Sequence, residues 1–528
     1  MIRKIGALIL ALAVVLCATG CAQMFGLQES TKSTTGPSGG GDVTGPTDVS
    51  DLFSDGDLDA SYGEYVTVTL SDGGNKADGI GVSLGKTQVN IDKGGTYLFT
   101  GTLSRGQIKV AAGADAKVRI IFKNASVSNS SGAALFIQSA SKVTVTLAEG
   151  TDNRLSSIGD FSQNSAEGVD AAVFSKADLT INGSGSLTVS SKNGHGIVSK
   201  DDLKVADGTY SVTASGQGLS GKDLLAIGGG TFTIQSGTDG LQSQNAEDAS
   251  RGIIHVGAGK LDITAGSDGM DATNSVHIAG GQITMSAGDD GVHADRDLQI
   301  SGGTLQISKC YEGLEATKVT ISGGDIALVS SDDGINAAGG NDGSASGGPE
   351  GHDPFAVDPN AGVTISGGKL RMNVGGDGLD SNGHLTITGG EVYVDGPTRN
   401  DNGAIDCGGE AKITGGIVIA VGASGMAQSF SANSTQGVIA VNVSSQSAGS
   451  LVQIADSSGK VLASFEAAKA FQHVVISAPG MQVGQSYVLT AGDSQQTIKL
   501  ETTVYGGGGM GPGGMPPGGG REPGPRPR

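Results

Sequence analysis

The amino-acid sequence predicts an all-β protein whose central region is a parallel β-helix with coils of about 22 residues. Short β-branched runs bounded by Gly-Gly or Asp-Gly occur throughout, and no stretch has the i, i+3, i+4, i+7 spacing of a long amphipathic helix. Glycine supplies 92 of the 528 residues and tryptophan is absent, so the core must be mainly aliphatic. The regular spacing of glycine-centred turns indicates a solenoid, which grows in one dimension.

The repeat is visible when one glycine of each turn is taken as the anchor of a coil. Four of the eight intervals between anchors are 22 residues and a fifth is 21, and three short strands follow each anchor. This is the size of a parallel β-helix coil; the leucine-rich pattern is missing, and the nonapeptide calcium β-roll has a shorter period. The predicted anchors are Gly196, Gly218, Gly240, Gly269, Gly291, Gly313, Gly334, Gly378 and Gly403.

Apolar columns support this register. The first position after the anchor is apolar and the third is often alanine, so both should point inward, because strand side chains alternate. The second position should then point outward. Two longer intervals contain insertions, one around Asn245–Arg251 and one between Gly334 and Gly378, and both leave the coil after the strand that follows the anchor.

The ends of the chain differ in composition from the repeat. Arg3 and Lys4 precede an apolar run that ends at Cys21, which predicts a lipoprotein signal peptide, with an ordinary signal peptide as the alternative. We therefore expect an exported, extracellular protein that is lipid-anchored to the outer face of the cell membrane. The predicted segments are a signal peptide (1–21), a flexible tether (22–48), the β-helix (49–433), a small β-sandwich-like domain (434–505) and a disordered Gly/Pro-rich tail (506–528).

The net charge of −20 restricts the possible partners. It argues against nucleic acid and against anionic headgroups, because there is no basic surface to displace phosphate counterions. We expect a monomer that meets the membrane only through its lipid anchor. An acidic protein can still hold an anionic polymer when a divalent cation lies between them.

Acidic residues flank the anchors in consecutive coils. Stacked coils would place these carboxylates about 4.8 Å apart, where they repel each other and raise each other's pKa unless a cation neutralises them. Calcium binds six to eight oxygen ligands of this kind. The candidate calcium ligands are Asp268, Asp271, Asp289, Asp290, Glu312, Glu315, Asp332, Asp333, Asp377 and Asp380.

A simpler interpretation is that Asp-Gly is a common tight turn. It explains one acid per coil, but not the doubled acids at Asp289-Asp290 and Asp332-Asp333 or the acids at the outward second position. Zinc is disfavoured, because the histidines are isolated and no paired cysteines exist. Cys310 and Cys407 should lie roughly 14 to 19 Å apart on this register, too far for a disulfide.

Several sequence strings resemble a known family. VTVTLAEGTDNRL, GIVSKDDLKVADG, AGDDGVHADRDLQISGGTLQI and SSDDGINAAGGNDG are similar to exported bacterial carbohydrate-binding proteins that are related to the family 9 polysaccharide lyases. The resemblance spans roughly residues 50 to 500, and the DDGVHAD and DDGINA turns are its most specific parts. It implies a right-handed parallel β-helix, bound calcium, and recognition of cellulose or polygalacturonate.

The resemblance also bears on catalysis. The related lyases use an Asp-Asp-x-x-Asp turn, whereas here His293 follows Asp289-Asp290 and Asn336 ends the second such turn. A lyase also needs a base, and Lys309 is the nearest candidate. No GxSxG, HExxH or phosphate-loop motif occurs, and no catalytic residue is assigned.

We therefore expect calcium-dependent polysaccharide binding without catalysis. The candidate carbohydrate contacts are His293, Lys309 and Tyr311. A calcium-dependent pectate or polysaccharide lyase and a structural or adhesive surface protein remain the alternatives.

Overall fold

The computed structural model describes residues 51–338 and 357–506. By its contacts the chain divides into two units, Met1–Gly45 and Pro46–Arg528, and every described residue lies in the second. The predicted signal peptide and tether, residues 339–356 of the second insertion, and the tail from residue 507 onward lie outside the described residues.

Strands make up nearly all the regular structure of the described residues. Two short helical segments occur, the α-helical turn α1 at Asp55–Leu58 and a 3₁₀ segment at Ser162–Glu167. In chain order the strands are β1 Val66–Ser71, β2 Lys76–Ala77, β3 Val82–Leu84, β4 Gln88–Ile91, β5 Gly95–Leu103, β6 Gln107–Ala111, β7 Lys117–Asn129, β8 Leu135–Ser139, β9 Lys142–Leu147, β10 Asp152–Ser157, β11 Ala171–Ser175, β12 Asp178–Asn182, β13 Ser186–Ser191, β14 His195–Ser199, β15 Asp202–Val205, β16 Thr209–Ala214, β17 Leu219–Gly221, β18 Leu224–Ile227, β19 Thr231–Ser236, β20 Leu241–Ser243, β21 Ile253–Val256, β22 Lys260–Ala265, β23 Met270–Ala272, β24 Ser275–Ile278, β25 Gln282–Ser286, β26 Val292–Ile300, β27 Thr304–Cys310, β28 Leu314–Ile321, β29 Asp325–Ser330, β30 Ile335–Ala337, β31 Gly362–Ile365, β32 Lys369–Val374, β33 Leu379–Ser381, β34 His384–Ile387, β35 Glu391–Asp395, β36 Ile405–Cys407, β37 Ala411–Ile413, β38 Ile417–Gly422, β39 Val438–Gln446, β40 Leu451–Asp456, β41 Val461–Glu466, β42 Phe471–Ser477, β43 Ser486–Ala491, β44 Ser494–Lys499 and β45 Val504–Tyr505.

These strands form three parallel faces, and each strand pairs with its equivalents in neighbouring coils. Face I runs from β4 through β8, β20, β23 and β30 to β36, and includes the first parts of β26 and β28. Face II runs from the first parts of β5 and β7 through β9, β12 and β24 to β37, and face III runs from β10 through β13 and β27 to β38. This arrangement confirms the predicted parallel β-helix.

The interior is a continuous apolar core. The residues directly after the anchors are fully buried, as are the alanines two positions later. These columns lie in one cluster that extends through the coils, so the predicted inward positions are confirmed. They are Leu219, Leu241, Met270, Val292, Leu314, Ile335 and Leu379, with Ala272, Ala294, Ala316 and Ala337.

The anchor glycines are required by close stacking of the turns. A Cβ atom at Gly291 would lie 2.5 Å from Ile307 Cδ1 and 2.6 Å from the Gly313 carbonyl oxygen of the next coil. The last predicted anchor, Gly403, is wrong by one residue. In each earlier coil, the residue after the anchor donates its N–H to the carbonyl of the next anchor, and Leu379 donates in the same way to the Ala404 carbonyl. Within the described residues, no face I strand follows β36, so no further anchor stacks on Ala404.

Both insertions interrupt the same corner of the coil, as predicted. The first lies between β20 and β21 and the second between β30 and β31, so each separates a face I strand from the face II strand that follows it. The adjacent coils are otherwise paired in register.

The C-terminal strands extend face III rather than forming an isolated sheet. β38 pairs antiparallel with β42, which pairs with β39, and a second antiparallel sheet has the order β41-β40-β43-β44. Residues of both sheets share a second apolar cluster that includes Ile419, Phe465 and Tyr487. No helix within the described residues is long and apolar enough to cross a membrane.

Candidate functional site

The second-position residues of face I form a ladder along the helix. The strand register pairs Asp271 with His293, His293 with Glu315, Glu315 with Asn336, and Asn336 with Asp380. We call these five residues the face I ladder. Although these positions point outward, most of their surface is covered: Asn336 is 1% exposed, Asp271 and Glu315 are each 7% exposed, and His293 and Asp380 are half-buried.

The residues just before the anchors form a second column at the turns. Each aspartate carboxylate here accepts a backbone N–H from the next coil. The Asp290 N–H donates to Asp268 Oδ1 at 2.8 Å, and the Asp377 N–H donates to Asp333 Oδ1 at 2.5 Å. One oxygen of each of these carboxylates therefore joins its turn to the next coil. This structural role agrees with the simpler interpretation of the Asp-Gly turns.

Glu312 departs from this pattern. The Asn336 side-chain Nδ2 donates to Glu312 Oε2 at 2.9 Å, so the longer acid contacts the ladder. Burial, followed by the charges of Glu315 and Asp290, raises the pKa of Glu312 to about 9, although the Asn336 hydrogen bond opposes this rise. Glu312 therefore lies between two groups of acidic residues.

The first group surrounds His293, and we call it the histidine cluster. His293 Nδ1 lies 3.5 Å from Asp271 Oδ1, and its Nε2 lies 3.6 Å from Glu315 Oε2. Burial alone would lower the pKa of His293, but the Asp271 hydrogen bond and the charges of Glu315, Asp271 and Asp290 raise it to about 10. A pKa raised in this direction favours the imidazolium at neutral pH, a charge that would partly neutralise the acidic neighbours.

Nuclear magnetic resonance of the imidazole nitrogens would test this assignment. We expect His293 to remain protonated at pH 8, because carboxylates face both ring nitrogens. His473 is an internal control, since burial lowers its pKa to about 4 and it should be neutral at the same pH. A His293 resonance that titrates near its usual pKa would contradict the assignment.

The second group is Asp333, Asp377 and Asp380, which we call the acid cluster. One carboxylate oxygen from each lies within 4.8 Å of the others. Burial first, and then the charges of Asp333, Asp377 and Asp406, raise the pKa of Asp380 to about 8. Burial and neighbouring acids also raise the pKa of Asp377 to about 7, against the Gly403 N–H hydrogen bond.

The two clusters differ in their suitability for calcium. The acid cluster offers oxygen ligands only, and the groups that act most strongly on Asp380 are other carboxylates. Calcium prefers such an oxygen set, and a cation there would relieve the mutual repulsion. In the histidine cluster, the ring nitrogens of His293 already face carboxylate oxygens of Asp271 and Glu315 that an ion would need. The acid cluster therefore fits calcium, and the histidine cluster fits it poorly.

The ten predicted metal ligands are consequently not one site. Asp268, Asp271, Asp290 and Glu315 gather around His293, and Asp289 is an exposed residue beside Asp268 and Asp290. Asp333, Asp377 and Asp380 form the acid cluster, and the charge of Asp332 acts on Asp377. Glu312 lies between the groups and is bonded to Asn336.

The predicted carbohydrate contacts are also separated. Tyr311, 40% exposed, occupies the turn column between two acids: its N–H donates to the Asp289 carbonyl at 2.7 Å, and its carbonyl accepts from the Asp332 N–H at 2.9 Å. Lys309 is exposed on β27 and joins no ion pair within the described residues. His293 is held among carboxylates rather than presented as a free contact.

The sequence pattern missed Asp406, which follows Asp380 in the column. Gln428 donates a hydrogen bond to it, and burial raises its pKa. Anchoring the last coil at Ala404 instead of Gly403 would have revealed it. The free thiols are buried, and burial raises the pKa of Cys310 to about 12, so this thiol is a poor nucleophile.

Comparisons with known proteins agree with a carbohydrate-binding family. A curated protein of Acetivibrio thermocellus, described as a carbohydrate-binding domain-containing protein, is 35% identical over 136 residues. The match covers 25% of this chain and 48% of the relative, so the chain spans about half the length of the relative.

A solved structure, described as that of a polysaccharide lyase-like protein from C. thermocellum in a gadolinium derivative, aligns with a TM-score of 0.44 and 31% identity. That alignment covers 45% of this chain and 97% of the other. Residues 85–334, which form most of the β-helix, match the model of a family described as carbohydrate-binding domain-containing protein.

Proposed function

We propose that this chain is a calcium-dependent, polysaccharide-binding protein of the cell surface that holds its glycan without cleaving it. The match of residues 85–334 to a carbohydrate-binding family supports the polysaccharide. The acid cluster is the observation that supports calcium, because the charges of Asp333 and Asp377 add to burial in raising the pKa of Asp380, with no basic side chain among its strongest neighbours.

Asp333, Asp377 and Asp380 would hold the ion, with Asp332 and Asp406 beside them. Bound calcium would neutralise these carboxylates and could take hydroxyl or carboxylate oxygens of a sugar as further ligands. The neighbouring Tyr311 offers an exposed ring at the same column of turns. The long outer surface suits a linear, plant-type or acidic polymer such as cellulose or polygalacturonate.

The side chains of the face I ladder already contact neighbouring acids, and this favours binding over catalysis. The two positions that depart from the lyase-like turn, His293 and Asn336, contact neighbouring acids, and the amide of Asn336 cannot act as a base. Lys309 is exposed and is not part of the acid cluster. A calcium-dependent lyase is the second candidate. We further propose that the protein is exported and anchored through a lipid on Cys21.

Affinity electrophoresis of the full chain in gels that contain different polysaccharides would test the proposal. We expect retardation by at least one acidic or plant-type polysaccharide with calcium, and weaker retardation with chelator. Asp380→Asn should reduce the effect of calcium. Asp325→Asn, which removes an exposed acid from face III, is the matched control and should behave as wild type.

A parallel assay with polygalacturonate and calcium would follow the absorbance of unsaturated product. A flat trace together with gel retardation is the expected result. A rising trace would favour the lyase instead, and the absence of retardation in every gel would contradict polysaccharide binding.

A further inference from the structure

A cavity of about 360 Å³ lies on face II near the N-terminal end, away from both acidic clusters. The segment that carries α1 crosses the sheet and closes one side of it through Ser54 and Gly56. No carboxylate is among its lining residues, although the whole chain carries a charge of −20. Its polar lining is Lys117, Arg119, Lys142, Ser54, Thr96 and Thr144.

The strand register concentrates positive charge in this cavity. Lys117 pairs with Lys142 of the next coil, and Arg119 pairs with Thr96 on one side and Thr144 on the other. Three cations therefore lie within two adjacent rungs. Like charges at this spacing repel, so an anion bound between them would be stabilised.

The nearest acids are already bonded. The Asp57 carboxylate accepts hydrogen bonds from Lys142, Thr180 and Ser54, which leaves one of the three cations with a carboxylate partner. The exposed Asp59 carboxylate accepts from the Ser61 N–H and hydroxyl. These contacts hold the crossing segment in place.

The other two cations keep donors for a ligand. Arg119 Nη1 donates to the Asp59 carbonyl at 2.7 Å and the Ser61 carbonyl at 3.0 Å, which fixes the guanidinium. Its Nε and Nη2 form no hydrogen bond within the described residues, and Lys117 forms no ion pair there. A fixed guanidinium with free N–H groups is suited to a planar carboxylate.

We propose that this cavity binds a carboxylate-bearing sugar unit of an acidic polysaccharide, with Arg119 and Lys117 holding the carboxylate. The hydroxyls of Ser54, Thr96 and Thr144 would contact the sugar hydroxyls. The inference rests on the proposed function in taking the ligand to be a polysaccharide. It does not depend on calcium, because eight coils separate β9 from β31, the face II strand of the coil that holds Asp333, roughly 38 Å at the strand spacing.

Calorimetric titration of the full chain in excess chelator, at low ionic strength, would test the site. The probes are trigalacturonate, the neutral trisaccharide cellotriose, and inorganic phosphate. We expect trigalacturonate to bind and Lys117→Gln to weaken that binding about tenfold, the effect of losing one charge-assisted contact. Lys123→Gln is the matched control, because Lys123 is exposed on the same strand and does not line the cavity.

Equal trigalacturonate affinity for wild type and Lys117→Gln would overturn the assignment of this cavity. Phosphate that competes as strongly as the trisaccharide, or cellotriose that binds with the same dependence on Lys117, would overturn the acidic-sugar specificity. An unchanged melting temperature would verify that the variant is folded. The calcium-dependent gel retardation and its sensitivity to Asp380→Asn test the proposed function separately, so either idea can fail alone.

Discussion

In the absence of calcium, the buried acids of the two clusters should make the protein lose stability as the pH rises towards about 9, most clearly above the ordinary pKa of His473, whose buried neutral ring has the opposite effect at lower pH. Burial is the first cause of the raised pKa of Asp377, about 7, and of Asp380, about 8. A carboxyl group whose pKa is higher in the folded state contributes stability below its ordinary pKa and loses it as the pH rises through the folded value. A pKa that differs by one between the folded and unfolded states corresponds to about 1.4 kcal/mol of stability.

The histidine cluster adds to this loss in the same direction. The pKa of Asp290 is raised to about 8, first by burial and then by Glu315, so its contribution also disappears as the pH rises. The raised pKa of His293, about 10, means that its stabilising charge is lost between its ordinary pKa and that value. Together these groups should remove several kcal/mol between mildly acidic and alkaline pH.

Calcium should reverse much of this loss at alkaline pH. A bound cation favours ionised carboxylates, and a ligand present at 100 times its dissociation constant stabilises the folded state by about 2.7 kcal/mol. Thermal unfolding across this pH range, with calcium and with chelator, would measure both effects. A flat profile in chelator would contradict the buried acids, and identical profiles in both buffers would contradict calcium binding.

Asp380→Asn should change stability in opposite directions with and without calcium. In chelator at pH 8 to 9, the variant should be more stable than wild type, because it removes a buried negative charge from among Asp333, Asp377 and Asp406. Asn336, the preceding residue of the face I ladder, shows that an amide fits this column. When calcium is added, the variant should gain less stability than wild type, because it lacks one ligand.

We expect its calcium affinity to fall about tenfold or more, the consequence of losing one charged oxygen ligand. Calorimetric titration with calcium would measure the affinity, and thermal unfolding with calcium and with chelator would measure the two opposite changes in stability. Asp325→Asn should leave both quantities unchanged, because Asp325 is exposed on face III. Equal destabilisation of Asp380→Asn in both buffers would instead indicate a structural carboxylate.

The sequence predicted the coil but not the environment of its polar columns. Glycine spacing located the turns because the stacked coils leave no room for a side chain at the anchor. At Gly291, for example, a Cβ atom would collide with the next coil. The spacing failed at Ala404, where no further face I strand follows within the described residues. Alternation along a strand gave the direction of Glu315 and Asn336 but not their burial, because coverage depends on the neighbouring coils.

The division into two clusters could not be predicted from an acidic pattern alone. It depends on the contacts of His293 with Asp271 and Glu315. In the sequence His293 stands where the related lyases have a ligand, but in the structure it serves as a counterion for its acidic neighbours. The basic cavity was missed for a different reason. Lys117 and Lys142 meet only through strand stacking, and Ser54 reaches them from a distant part of the chain.

The hydrogen bonds that join each turn aspartate to the next coil restrict how such a chain can evolve in length. Loss of a few residues would move every later side chain out of its column. Loss of residues 291–312 would instead join Asp290 directly to Gly313 and recreate the Asp-Gly turn. The molecule can therefore lengthen or shorten by whole coils, in steps of about 4.8 Å, which lets duplication adjust its reach along a polymer without redesigning any turn.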